Sequence, residues 1–144
     1  MELISLTPIT RNGEDFTSPM LVDPRDISRP IIESDSGDSI IYLQEFANSQ
    51  HRETDALNQS VQYIVDEDIA TVVGLSLKIF SGTIITRNGR VPSETTVAFI
   101  TDWVVGPIYE ENGNSKFLYK EGGDMLPVEY EIDETIAQIL VQIS

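Results

Sequence analysis

The sequence predicts a β-rich α+β protein made of two tandem repeats. Each is a small antiparallel sheet or partly open barrel closed by a short C-terminal helix, and the two pack in a pseudo-twofold relation. Three observations carry this prediction. Short runs rich in Ile, Val, Thr and aromatic residues alternate with Gly, Asn, Asp and Pro, the punctuation of strands and turns. Most of that pattern occurs twice. Each occurrence ends in an Asp-Glu pair ahead of apolar residues at i, i+3 and i+4, the spacing of one helix face.

The repeat is direct. Ile9-Thr10-Arg11-Asn12-Gly13 recurs as Ile85-Thr86-Arg87-Asn88-Gly89 at an offset of 76, and the same offset pairs Ser5 with Ser81, Thr7 with Thr83 and Gly37 with Gly113. The offset then falls to 67, where residues 61–70 meet residues 128–137 with six of ten positions identical. The nine-residue difference between offsets 76 and 67 places an insertion in the first copy, in the polar segment near 46–60. The first module is therefore 1–76 and the second 77–144, with almost no linker between them, which favours close packing or a shared sheet.

Taken in order, Leu3 to Thr10 and Leu77 to Thr86 read as strands, each running into an Arg-Asn-Gly turn: Arg11, Asn12 and Gly13, then Arg87, Asn88 and Gly89. Asn-Gly accepts positive φ and marks a hairpin. Strands follow over Met20 to Val22 and Ile27 to Glu33, matched by Thr95 to Tyr109, with Pro24, Pro30 and Pro107 confining them to edges or breaks. The turns Ser34 to Asp38 and Glu111 to Asn114 lead into strands Ser39 to Phe46 and Ser115 to Lys120. Val61 to Val65 and Pro127 to Ile132 alternate polar with apolar residues, so each is expected to bury one face. The helices come last. Asp66 and Asp133 are placed as N-caps, Glu67, Asp68 and Glu134 in the first turn, and Gly74 as the C-terminal cap of the first helix.

Composition narrows the functional classes. The chain has 144 residues, 24 acidic and 9 basic, for a net charge of −15, and no cysteine. Duplex binding wants a basic face, and disulfide scaffolds and thiolate metal sites want Cys. No stretch reaches the roughly 20 apolar residues of a membrane span, and Met1 to Pro8, short in apolar residues and without basic ones, is not expected to act as a signal peptide. Residues 1–72 carry −10 and residues 73–144 carry −5, so a basic partner would be drawn first to the first module.

Catalytic constellations are not evident in the sequence. His51, the one histidine, lies in the insertion, and no Ser-His-Asp set, HExxH or phosphate-cradling GxxxxGK occurs. Glu33, Asp35 and Asp38 around Gly37 lack the spacing of an EF-hand and fit a solvated turn. The pairs Asp66-Glu67 and Asp133-Glu134 fit helix starts better than paired catalytic carboxylates. Arg11 and Arg87 are candidates for an anion site, with solvated turns as the plainer assignment. Trp103 is a core aromatic or an interface anchor. No cofactor or metal site is read.

The segments Val65-Asp66-Glu67-Asp68-Ile69-Ala70-Thr71-Val72-Val73 and Ile132-Asp133-Glu134-Thr135-Ile136-Ala137-Gln138-Ile139-Leu140, each behind a β-hairpin, carry a resemblance. The pattern resembles small uncharacterised β-modules of tailed bacteriophages, those of the crassvirus type among them. The resemblance implies a non-enzymatic virion structural or adaptor protein, such as a head auxiliary, ring or head–tail connector component, assembled in the host cytoplasm. It would act through contacts with other virion proteins in a homo-oligomer or multicopy assembly, without direct nucleic-acid or membrane contact. The alternative is an acidic phage-encoded inhibitor that mimics nucleic acid and blocks a host DNA-binding protein.

Overall fold

A computed structural model describes residues 2–46, 58–121 and 126–144. His51 and most of the polar segment near 46–60 fall outside the described residues. The first part of the chain holds β1 (Ile4–Leu6), β2 (Pro8–Arg11), β3 (Glu14–Asp15), β4 (Met20–Val22), β5 (Ile31–Glu33), β6 (Ser39–Phe46), β7 (Asn58–Val65) and α1 (Ile69–Gly74). The second holds β8 (Ile79–Arg87), β9 (Thr96–Ile100), β10 (Val104–Glu111), β11 (Asn114–Tyr119), β12 (Val128–Ile132) and α2 (Ile136–Ile143). Ten strands form one antiparallel sheet in the order β10-β11-β12-β8-β9-β5-β6-β7-β2-β3, while β1 and β4 make a two-stranded ribbon. The protein is β-rich with two short helices, and the described strands close into no barrel.

Turn chemistry sets the hairpins. Asn12 and Gly13, Asn88 and Gly89, and Asn112 and Gly113 all have positive φ, between 51° and 83°. Two consecutive residues of that kind give the tight primed turn that matches strand twist. In the β5–β6 hairpin, Gly37 at φ 92° lets the Ser34 N–H reach the Asp38 carbonyl at 2.8 Å.

Several expected boundaries move, each for a local reason. The first strand breaks at Thr7, because Pro8 has no N–H to give. At the corresponding place in unbroken β8, the Ile84 N–H donates to the Thr95 carbonyl at 2.8 Å. The strands expected over Ile27 to Glu33 and Thr95 to Tyr109 are shortened or split around 3₁₀ turns at Pro24–Asp26 and Thr101–Trp103. The Asp23 carboxylate accepts the Arg25 N–H at the first of these turns.

The helix caps also need correction. Asp66 and Asp133 are not N-caps. Asp68 caps α1 by accepting the Thr71 N–H at 2.8 Å, and Thr135 caps α2 in a box with Gln138. Asp66 and Asp133 instead end the preceding strands, their N–H groups donating to the Thr7 and Thr83 carbonyls, both at 2.9 Å. Gly74 is the last residue of α1 rather than its cap; Leu75 follows in that role.

Two apolar cores result. The first gathers Ile4, Leu6, Ile27, Ile31, Ile41, Val65 and Val72 with Ile79, Ala98 and Ile100 from the second part of the chain. The second is aromatic: Phe80, Phe99, Phe117, Tyr119 and Tyr130 have ring centroids 5.0–6.3 Å apart, mostly edge to face. Strand β9 lies between them, Val97 and Phe99 entering the aromatic core and Ala98 and Ile100 the aliphatic one.

Candidate protein interface

The twin Arg-Asn-Gly turns have internal duties. Asn12 extends the ladder of β7: its N–H donates to the Gln62 carbonyl at 2.8 Å and its Oδ1 accepts the Gln62 N–H at 3.0 Å. Asn88 does the same to Glu129 of β12, at 2.7 and 2.9 Å. One side chain thus supplies both the positive φ and a strand-like pairing beyond the strand end. Arg11 Nε donates to the Tyr63 hydroxyl at 2.9 Å, and Arg87 Nε to the Tyr130 hydroxyl at 3.2 Å.

Arg87 also pairs with the buried Glu121 at 2.9 Å, and the Tyr130 hydroxyl donates to the other Glu121 oxygen. Burial, then the bond to Glu121, pushes the Tyr130 phenol well above its ordinary pKa; burial pushes Tyr119 up as well. This triad lines a cleft of about 200 Å³ together with Arg29, Pro30 and Ile32. Within it the arginine and the glutamate neutralise each other and the phenol is held as a proton donor.

Other acidic groups serve the fold too. Glu67 accepts both the N–H and the hydroxyl of Thr7, at 3.0 and 2.9 Å; Glu134 does the same for Thr83, at 2.8 and 3.0 Å. These bonds tie each helix start to a strand and were not read from the sequence. The paired Thr7/Thr83 and Glu67/Glu134 matches were the available signal. Among the described residues no group of three or more His, Asp or Glu is placed to hold a metal ion, and no helix is long and apolar enough to cross a membrane.

Trp103 is half-buried and packs against both cores, so it joins them. The surface offers something else. Among the described strands the sheet ends on β10 at one side, and β4 pairs only with β1. On β4 stands the exposed Leu21, and just before its partner β1 the exposed Leu3; on β10 stand Val105 and Tyr109, with Leu140 and Val141 exposed on α2, which lies against β10. Unpaired edges flanked by apolar side chains are the usual material of strand-addition interfaces. Comparison with family models, curated proteins and solved structures returns no match for this chain.

Proposed function

We propose that the chain is a duplicated β-module serving as a non-enzymatic structural or adaptor component of a tailed-phage particle, acting through contacts with other virion proteins in many copies. One observation carries the reading: among the described residues Glu67, Glu134, Arg87 and Glu121 are engaged inside the fold, while strand edges with apolar flanks stand unpaired by any other described strand. The resemblance of the Val65 to Val73 and Ile132 to Leu140 segments adds the phage setting and the particle roles of head auxiliary, ring or connector component.

The duplication is supported by matched contacts. The pairs Thr7–Glu67 and Thr83–Glu134, Asn12–Gln62 and Asn88–Glu129, and Arg11–Tyr63 and Arg87–Tyr130 stand at the offsets of the sequence repeat. Ser39 faces Val65 as Ser115 faces Ile132. A twofold relation would accompany the β5–β9 pairing with a β4–β10 pairing, which the described strands do not make; a head-to-tail relation between the modules fits better. An acidic mimic of nucleic acid needs a dense carboxylate stripe, whereas Asp23, Glu67, Asp68, Glu121 and Glu134 each hold an internal partner.

Mass spectrometry and cryo-electron microscopy of purified particles from the source test the proposal. Stoichiometric copies in the particle are expected. Absence from purified particles, or a salt-sensitive complex with a basic host protein instead, overturns it.

A further inference from the structure

We propose that the chain associates head to tail with a second copy of itself, β4 of one copy adding antiparallel to the free edge of β10 in the next. The junction inside the chain is then repeated between chains. This rests on the duplicated-module reading, which supplies the correspondence between halves.

Inside the chain, β9 adds to β5 with Ala98 opposite Ile31 and Val97 opposite Ile32, and α1 lies against β5, β8 and β9. Ile79 and Ala98 are fully buried there, at 0 % exposure, within the core of the first half. Their counterparts are Leu3 and Leu21. Leu3 stands 76 residues before Ile79, and β4 pairs with β1 (Ile4 opposite Val22) as β9 pairs with β8 (Phe80 opposite Phe99). Leu3 is 48 % exposed and Leu21 67 %. Val22, the counterpart of Phe99, is buried in its own half's core. The ribbon β1–β4 therefore has its inner face covered and its outer face bare, where β8–β9 has both covered.

The receiving side is present as well. Pro107-Ile108-Tyr109-Glu110 repeats Pro30-Ile31-Ile32-Glu33 in sequence and in its pairing to the following strand, Glu110 opposite Ser115 as Glu33 lies opposite Ser39. Helix α2 lies against β10 as α1 lies against β5. Carrying over the internal register sets Leu21 opposite Ile108 and Met20 opposite Tyr109. Asp23, in the place of Ile100, is held by its ion pair with Arg25 at 2.9 Å. A shallow groove lined by Met20, Leu21, Leu43 and Tyr63 runs beside β4.

Because the two surfaces differ, the contact is heterologous and propagates into a ring or a filament. Each copy carries −15, so like-charge repulsion opposes assembly and salt relieves it.

The full chain is followed by sedimentation velocity at about 100 μM, in about 0.05 and about 0.5 M NaCl. The expected result is a mass above the 16.1 kDa monomer that rises with salt and is lost in Leu21→Glu without a large change in thermal midpoint. The chain has no cysteine, so Leu21→Cys and Ile108→Cys chains are oxidised separately and mixed; Met20→Cys with the exposed Tyr109→Cys replaces them if Ile108→Cys unfolds. Cross-linking in the mixture alone supports the contact. A monomer under all conditions, or equal cross-linking of either variant alone, overturns it. A chain that is monomeric yet present in purified particles defeats the self-association and leaves the structural role standing; a self-associating chain absent from particles does the reverse.

Discussion

Asn88 combines two effects that substitution separates. Asn88→Ala removes the bond to the Glu129 N–H and places a residue averse to positive φ at φ 51°; Asn88→Gly removes only the bond. The expected destabilisation is about 2 kcal/mol for Ala and about 1 kcal/mol for Gly, read from urea midpoints, and equal losses would deny the backbone a role. Tyr119 and Tyr130 make a second residue-scale case. Their folded pKa values lie above the unfolded value of about 10 because burial disfavours the phenolate. The stability this reflects is complete below that pH and falls as pH rises past it. Tyrosinate absorbance on alkaline titration is therefore expected to show these two ionising only together with unfolding; their ionisation in the folded protein would contradict it. The twin Asn residues were legible in sequence as turn formers. Their second bond was not, because the partners Gln62 and Glu129 lie 50 and 41 residues away.

At the scale of elements, the caps show how a correct helix acquires a wrong start. Asp66 and Asp133 attract attention because they are repeated, whereas the caps differ between the halves, Asp68 in one and Thr135 in the other. Repetition marked the Glu67 and Glu134 bridges to Thr7 and Thr83 instead. Thr135→Ala is expected to cost about 1 kcal/mol, the ordinary value of a lost cap, and Asp133→Ala less than about 0.5 kcal/mol, as for an exposed surface residue. Chemical denaturation of both variants checks this, and the reverse order would make Asp133 the cap. The alternation of Val61 to Val65 and Val128 to Ile132 was fully legible, since one buried face imposes period two. The split of the long second-half strand at Thr101–Trp103 was not, for no Gly or Pro stands there to announce it.

For the whole molecule, β9 decides cooperativity. With alternate residues in each core and Trp103 against both, neither half can lose its packing without exposing apolar surface of the other. Unfolding is expected as one transition, with Trp103 fluorescence and far-ultraviolet circular dichroism superimposable in urea; two separated transitions would show independent halves. Ile79→Ala is expected to lower that single midpoint by the equivalent of about 2–5 kcal/mol. By itself the sequence determined the elements, their hairpin turns, the alternating faces and the recurrence of one pattern, because all of these follow from local backbone preference and short-period burial. Only the tertiary structure decided that the halves share a sheet through β5 and β9, that Glu67 and Glu134 bind threonines while Asp66 and Asp133 do not cap the helices, and that no other described strand pairs with the second edges of β4 and β10. Those outcomes depend on which strands meet across long stretches of chain, and a linear pattern of polar and apolar residues places a strand's buried face without naming what covers it.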